Sequence, residues 1–265
     1  MTYSLDALAT AILGDHPQPG ALYGIGLGPG DRGLLTLRAA ALLQRLDVVA
    51  TPRSQRGGGI ARGIVAPLVE PERLLELPSA MPAGGAHILD GWRGRVAPLL
   101  AALHEGASVG FVTDGDPGLY STFAYAATAL LEMRPDTPAY VVPGVSAMSA
   151  AAAAAGLPLA LGAERLAVLP AVRLDDQALR DACAGADTVV LLKAGGALDH
   201  VRGLLDTAAQ GWSLHYARRV GLDGEEHRDN LDEITDPDDY MALVILRRPG
   251  TFSSRLATTL SGGAS

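Results

Sequence analysis

Short apolar runs alternate along this chain with segments whose apolar residues recur at helical spacing. The first run, Leu22 to Leu27, reads as a strand; a glycine-rich turn follows, then an amphipathic helix from Leu34 to Leu46 and a β-branched run from Val48 to Thr51. Strand, turn, helix and strand within about thirty residues form a βαβ unit, which implies a parallel sheet with a right-handed crossover. Helical periodicity predicts helices over Ile60 to Leu68 and His87 to His104, the second stopped by Gly106, before a strand from Ser108 to Thr113. Pro117 cannot donate to a sheet ladder, so the chain leaves the sheet at Asp114-Gly115-Asp116-Pro117. The second half repeats the alternation. Helices are expected over Tyr120 to Met133, Ser146 to Ala155, Asp175 to Ala184 and Ala197 to Ala209. Strands are expected over Ala139 to Val142, Leu166 to Leu169 and Thr188 to Leu192. His215 to Val220 and Tyr240 to Leu246 alternate and are expected to pair antiparallel at the end of a mixed sheet.

This pattern divides the chain into an N-terminal extension (1–20), an α/β domain (21–114), a second α/β domain (115–250) and a flexible tail (251–265). The extension has no basic n-region and reads as a small helix and linker rather than a signal peptide. No apolar run approaches the roughly 18 residues that span a bilayer.

Four glycine-containing turns follow predicted strands. Gly28, Gly30 and Gly33 formally fit the G-x-G-x-x-G dinucleotide fingerprint. Two features oppose it: Pro29 removes an N–H from the stretch that should cradle a pyrophosphate, and Thr51-Pro52-Arg53 supplies no carboxylate at the end of the second strand. Asp47 lies at the wrong end of that strand. The other turns are Asp114-Gly115-Asp116, Pro143-Gly144 followed by Ser146 as a helix cap, and Lys193-Ala194-Gly195-Gly196. Each alone is an ordinary turn; together they line up where ligands bind in open α/β sheets, beyond the carboxyl ends of strands.

Charge changes the picture locally. The chain carries a formal net charge of −8, which opposes a nucleic-acid partner. Yet from Val48 through Val69 there is no acidic residue, while Arg53, Arg56 and Arg62 occur there, around the glycines at 57–59. Arginine suits bidentate carboxylate recognition, so this loop is a candidate for neutralising a polyanionic substrate; a solvated surface loop is the plain alternative. Arg218-Arg219 invites the same reading. The six histidines show no metal-ligand spacing, and no metal site is expected. Cys183 is the only cysteine, which fits a reducing cytoplasm.

Leu22 through Asp31, then Leu35-Thr36-Leu37 and Ala39-Ala40, resemble the opening of the tetrapyrrole (corrin/porphyrin) methylase family. Thr113 through Pro117, Val142 through Ala147 and the strand end from Leu191 to Gly195 are similar to its later motifs, in order, so the resemblance spans about Leu22 to Leu246. Asp116 through Phe123, Glu164 through Pro170, Thr51 through Ser54 and Leu75 through Pro78 resemble the branch acting on C20 of precorrin-2.

The resemblance implies a cytoplasmic homodimer of two α/β domains with an inter-domain cleft that holds S-adenosyl-L-methionine. Carried over by position, Pro29, Asp114, Gly115, Asp116, Leu119, Ser146, Ala147, Ala194 and Val220 contact the cofactor. Arg53, Arg56 and Tyr120 face the tetrapyrrole, and Asp31 and Tyr120 are the candidate bases. The sequence departs from the family pattern from Arg218 to Asp223. The implied activity is C20 methylation of precorrin-2 in cobalamin biosynthesis. Alternatives are a cobalt-bearing substrate of the anaerobic branch, another ring position, diphthine-type protein methylation, a non-catalytic tetrapyrrole carrier and, distantly, a nicotinamide-dependent oxidoreductase.

Overall fold

The computed structural model describes residue 10 and residues 16–53, 59–78, 88–234 and 239–249. The chain forms two compact units, 1–146 and 147–265. The domain boundary expected at 114/115 therefore moves to 146/147. Strand β5 (Ala139–Val142) is the reason: it pairs with the first strand of the chain and so belongs to the first sheet.

In the first unit, β1 (Leu22–Gly26), β2 (Val48–Arg53), β3 (Leu74–Pro78), β4 (Val109–Thr113) and β5 form a parallel sheet in the order β3-β2-β4-β1-β5. Every residue of β1 and β4 is buried, as expected of parallel strands covered on both faces. Alternation along the strands splits the apolar residues between two cores. Ile25, Val49 and Val112 pack with helices α1 (Leu37–Leu43) and α2 (Ile60–Val65). Leu22, Ala50 and Phe111 pack with α3 (Ile88–Arg95), α4 (Ala97–His104) and α5 (Phe123–Met133). The strand order differs from that of a dinucleotide-binding domain, 3-2-1-4-5-6.

Local chemistry sets the helix ends. Thr36 accepts the Ala39 N–H at 3.1 Å and starts α1, so the expected helix from Leu34 begins three residues later, after a single 3-10 turn at Arg32–Leu34. The predicted helix from 87 to 104 is broken at Val96 because Pro98, in the first turn of α4, supplies no N–H. Gly106, at φ +85°, ends α4 as predicted.

The second unit contains α6 (Ala147–Ala154), β6 (Leu166–Pro170), α7 (Asp176–Gly185), β7 (Thr188–Leu192), α8 (Leu198–Ala208), β8 (Ser213–Arg218), β9 (Glu226–Arg228) and β10 (Ala242–Arg247). The sheet order is β6-β7-β10-β8-β9. Strands β6 and β7 are parallel and the remaining pairs antiparallel, so the predicted pairing of the two late strands is found as β8 with β10. Leu179, Val189, Leu191, Val201 and Val244 form its core. Strands β3 and β9 were not predicted: β3 has a glutamate among leucines and ends in proline, and β9 is Glu-His-Arg, without an apolar residue.

Candidate active site

The connection leaving β1 crosses one face of the first sheet through α1, and the connection leaving β4 crosses the other through α5. Adjacent strands β1 and β4 therefore feed crossovers in opposite directions, a topological switch point of the kind where α/β sheets bind ligands. The turns beyond these two strands are tied together. Gly28 donates to the Gly115 carbonyl at 3.2 Å and Gly115 donates to that of Gly28 at 2.7 Å. Both lie at positive φ, +74° and +69°, which favours glycine.

Gly144, beyond β5, joins this floor. A Cβ on Gly144 would stand 2.2 Å from the Gly115 carbonyl oxygen, and one on Gly26 would stand 2.5 Å from the Gly144 nitrogen. Three backbones thus meet where no side chain fits. Asp116 fastens them: one carboxylate oxygen accepts the Gly118 N–H at 2.8 Å and the other the Gly144 N–H at 2.9 Å. Asp116, a predicted cofactor ligand, spends both oxygens on holding the turns together.

Asp114 differs. Its carboxylate has no hydrogen-bond partner among the described residues, and burial pushes it up to about 6. Asp114 is nonetheless exposed to solvent on one side. Exposure and depth among neighbouring protein atoms differ here, and it is the depth that raises the carboxyl. An unpartnered carboxylate with a raised pKa at a switch point is suited to accepting hydrogen bonds from a bound hydroxyl or facing a cation.

Of the other predicted residues in this unit, Pro29 is buried beside the paired turns, and Leu119 and Ser146 are half-buried. Asp31 is exposed and accepts the Gly33 N–H at 2.7 Å, capping the 3-10 turn. Tyr120 is 45% exposed at φ +50°. Arg53 and Arg62 both contact Glu76 of β3, at 3.5 and 3.2 Å. The basic loop is thus partly neutralised from a strand absent from the sequence reading; Arg56 lies outside the described residues. Asp47 sits at the opposite end of β2, where its carboxylate accepts the Ser108 N–H and hydroxyl, both at 2.7 Å. These bonds hold it below the usual carboxylate range.

In the second unit, Ala147 is half-buried at the start of α6. The turns after β7 and β8 meet the segment entering β10. Ala194 donates to the Ala242 carbonyl at 2.8 Å and Arg219 to that of Met241 at 2.9 Å. A Cβ on Gly195 would collide with the Asp239 carbonyl at 1.6 Å. Ala194 and Val220 are both buried, and Ala194 belongs to the apolar core. Arg219 pairs with Asp239, and Arg218 with Glu226 at 3.1 Å. Burial raises the Asp239 carboxyl, but the bonds from Arg219 and the Met241 N–H outweigh it and leave it lowered.

Tyr120, Lys193 and Arg219 are the non-glycine residues at positive φ among those described. Lys193 and Arg219 lie directly beyond the carboxyl ends of β7 and β8, and Tyr120 lies in the connection from β4 to α5, where stored backbone strain is a marker of function. No local sequence pattern marks that strain. No cluster of three or more His, Cys, Asp or Glu able to hold a metal occurs among the described residues, nor does a helix long and apolar enough to cross a membrane.

Comparison with known proteins gives consistent results. Residues 21–235 match the family model for tetrapyrrole (corrin/porphyrin) methylases. The cobalamin biosynthesis protein CobIJ of Mycobacterium tuberculosis is 33% identical over 238 residues, covering 86% of this chain and 46% of that protein. The chain thus spans about half the length of these relatives. The cobalt-precorrin-2 C(20)-methyltransferase of Salmonella typhimurium is 31% identical over 237 residues, covering 86% of this chain and 97% of that protein. The crystal structure of the methyltransferase CobJ superposes with a TM-score of 0.68 at 25% identity, covering 88% of this chain and 96% of the other. A uroporphyrin-III C-methyltransferase from Thermus thermophilus, complexed with S-adenosylhomocysteine, shares the fold with a TM-score of 0.60 at 21% identity, covering 86% of this chain and 97% of the other.

Proposed function

Because the chain belongs to the tetrapyrrole (corrin/porphyrin) methylase family, we propose that it transfers a methyl group from S-adenosyl-L-methionine to C20 of precorrin-2 in cobalamin biosynthesis. The observation that carries this reading is the floor of glycine backbones at the switch point, which leaves no room for side chains, with the Asp114 carboxylate unpartnered beside it. Such a site fits a nucleoside with ribose hydroxyls to donate and a sulfonium to face. When bound, that cofactor supplies the electrophilic methyl and its own leaving group.

The chain's contribution is geometric and electrostatic. Asp116 fixes the turns after β4 and β5 in one arrangement, and Asp114 accepts from the ligand. Orientation of this kind is worth roughly 7–11 kcal/mol of a bimolecular barrier. Pro29, Gly115, Leu119, Ser146, Ala147, Ala194 and Val220 complete the assigned cofactor contacts. Arg53 and Arg62 share the single carboxylate of Glu76, so they keep a net positive charge and N–H donors for the substrate's carboxylates. Asp31 and Tyr120 are assigned to receive the proton released from C20. The working protein is a homodimer in this reading.

Incubating the purified chain with labelled methyl donor and precorrin-2 tests it. Label is expected at C20, with S-adenosylhomocysteine as co-product. Turnover only on cobalt-bearing substrate would move the assignment to the anaerobic branch. Stabilisation by NADH and not by S-adenosylhomocysteine would end it.

A further inference from the structure

The chemistry outside this site concentrates on one face of the β8–β9 hairpin. Alternation along β9 and its flanks places Glu225, His227 and Asp229 on the same face, and the antiparallel register brings His215 of β8 beside them. The four groups form a continuous line. Asp229 Oδ1 lies 2.8 Å from His215 Nδ1, His215 Nε2 lies 3.0 Å from His227 Nδ1, and His227 Nε2 lies 2.6 Å from Glu225 Oε1. His215 and His227 line an open polar groove of about 680 Å³ together with Arg228, Asp229, Asn230 and Glu233.

The line contains three contacts, and each needs one proton. Ionised carboxylates bring none, so all three must come from the imidazoles. Two neutral rings supply two, which leaves bare lone pairs facing each other at one contact. Two fully protonated rings supply four, which puts N–H against N–H across 3.0 Å in the middle. Only the three-proton state satisfies every contact. A metal ion does not fit the central gap: ring centroids 5.2 Å apart place the two nitrogens nearly head-on, and a zinc between them would need about 4 Å.

We propose that His215 and His227 share one extra proton between Asp229 and Glu225, and that this array positions the turn at the carboxyl end of β8. Glu225 is the link. Its second oxygen accepts the Gly221 N–H at 2.9 Å, next to Val220, which is assigned to the cofactor. The hairpin ladder has only three residue pairs, so it needs such a clasp. The remaining nearby charges are engaged elsewhere. Glu226 meets Arg218 at 3.1 Å and Arg228 at 3.0 Å, while the Glu233 backbone carbonyl accepts from Arg228 at 3.3 Å. The Glu233 carboxylate adds a negative charge to the groove, and Asp229 opens the line to solvent. The positioning role rests on the cofactor assignment above; the proton count does not.

The test uses the full chain labelled with 15N-histidine. Long-range 15N–1H spectra are expected to show three N–H bonds over the four ring nitrogens of His215 and His227. Two or four, with the hairpin intact, overturn the proposal. Hydrogen exchange at the Gly221 amide should accelerate about tenfold in His227→Gln and Asp229→Ala, and recover in Asp229→Asn, which keeps an acceptor for His215. Unchanged exchange in His227→Gln overturns the clasp. Affinity for S-adenosylhomocysteine should fall in His227→Gln and Asp229→Ala and recover in Asp229→Asn. If Gly221 protection falls while affinity stays unchanged, the positioning role is overturned. If wild type binds no S-adenosylhomocysteine, the cofactor assignment fails and takes the positioning role with it, while spectra and exchange still decide the array.

Discussion

At the scale of single residues, the two aspartates of Asp114-Gly115-Asp116 do different work although the sequence presents them alike. Asp116 is satisfied by two backbone N–H groups, whereas Asp114 has no partner among the described residues. Asp114 is raised to about 6, so the folded state holds its proton more tightly than the unfolded chain. Its contribution to stability therefore falls as pH rises from about 4 through about 6. Ligand affinity runs the other way, because the ionised carboxylate is the acceptor. S-adenosylhomocysteine binding should weaken as pH falls through about 6, and Asp114→Asn should lower affinity about tenfold and remove that dependence; calorimetric titration across this range checks both. Asp31→Asn is expected to reduce turnover by about a hundredfold without changing S-adenosylhomocysteine affinity, since general-base loss affects the chemical step. Single-turnover assays with labelled donor separate the two.

Elements are held by contacts that are weak in the sequence and strong in the fold. The three-glycine floor is one. Gly144→Ala places a methyl against the Gly115 carbonyl and should cost about 3 kcal/mol and abolish S-adenosylhomocysteine binding, measured by thermal unfolding and calorimetry. A second is the pair of Arg247 on β10 with Glu164 ahead of β6, 3.0 Å apart and with side chains only 8% and 12% exposed. Removing one partner strands the other charge, so Glu164→Ala should destabilise the second unit by about 3 kcal/mol in urea denaturation, followed at Trp212 in a Trp92→Phe background. The strand and helix pattern was legible at this scale because burial on both sheet faces makes β1, β4 and β7 continuous apolar runs. β9 was not legible, since its three polar residues pair through backbone and side-chain bonds that leave no periodic apolar mark. β3 escaped for a related reason: Glu76 breaks its apolar alternation and serves Arg53 and Arg62 instead.

For the whole molecule, the order of glycine-marked turns along the chain was enough to place the family, and the matching family model covers residues 21–235. Local sequence determined the alternating elements, the helix caps at Thr36 and Asp175, the stop at Gly106 and the turns at the strand ends, because each depends on neighbours within a few residues. The tertiary structure decided what depends on distant partners. It assigned β5 to the first sheet and moved the boundary to 146/147; it also left the Asp114 carboxylate without a partner among the described residues while Asp116 was bonded, and drew two histidines with no recognisable spacing into one line with two carboxylates. Pairing across a sheet and the hydrogen-bond partner a side chain meets are set by residues far apart in the chain, so no local pattern records them.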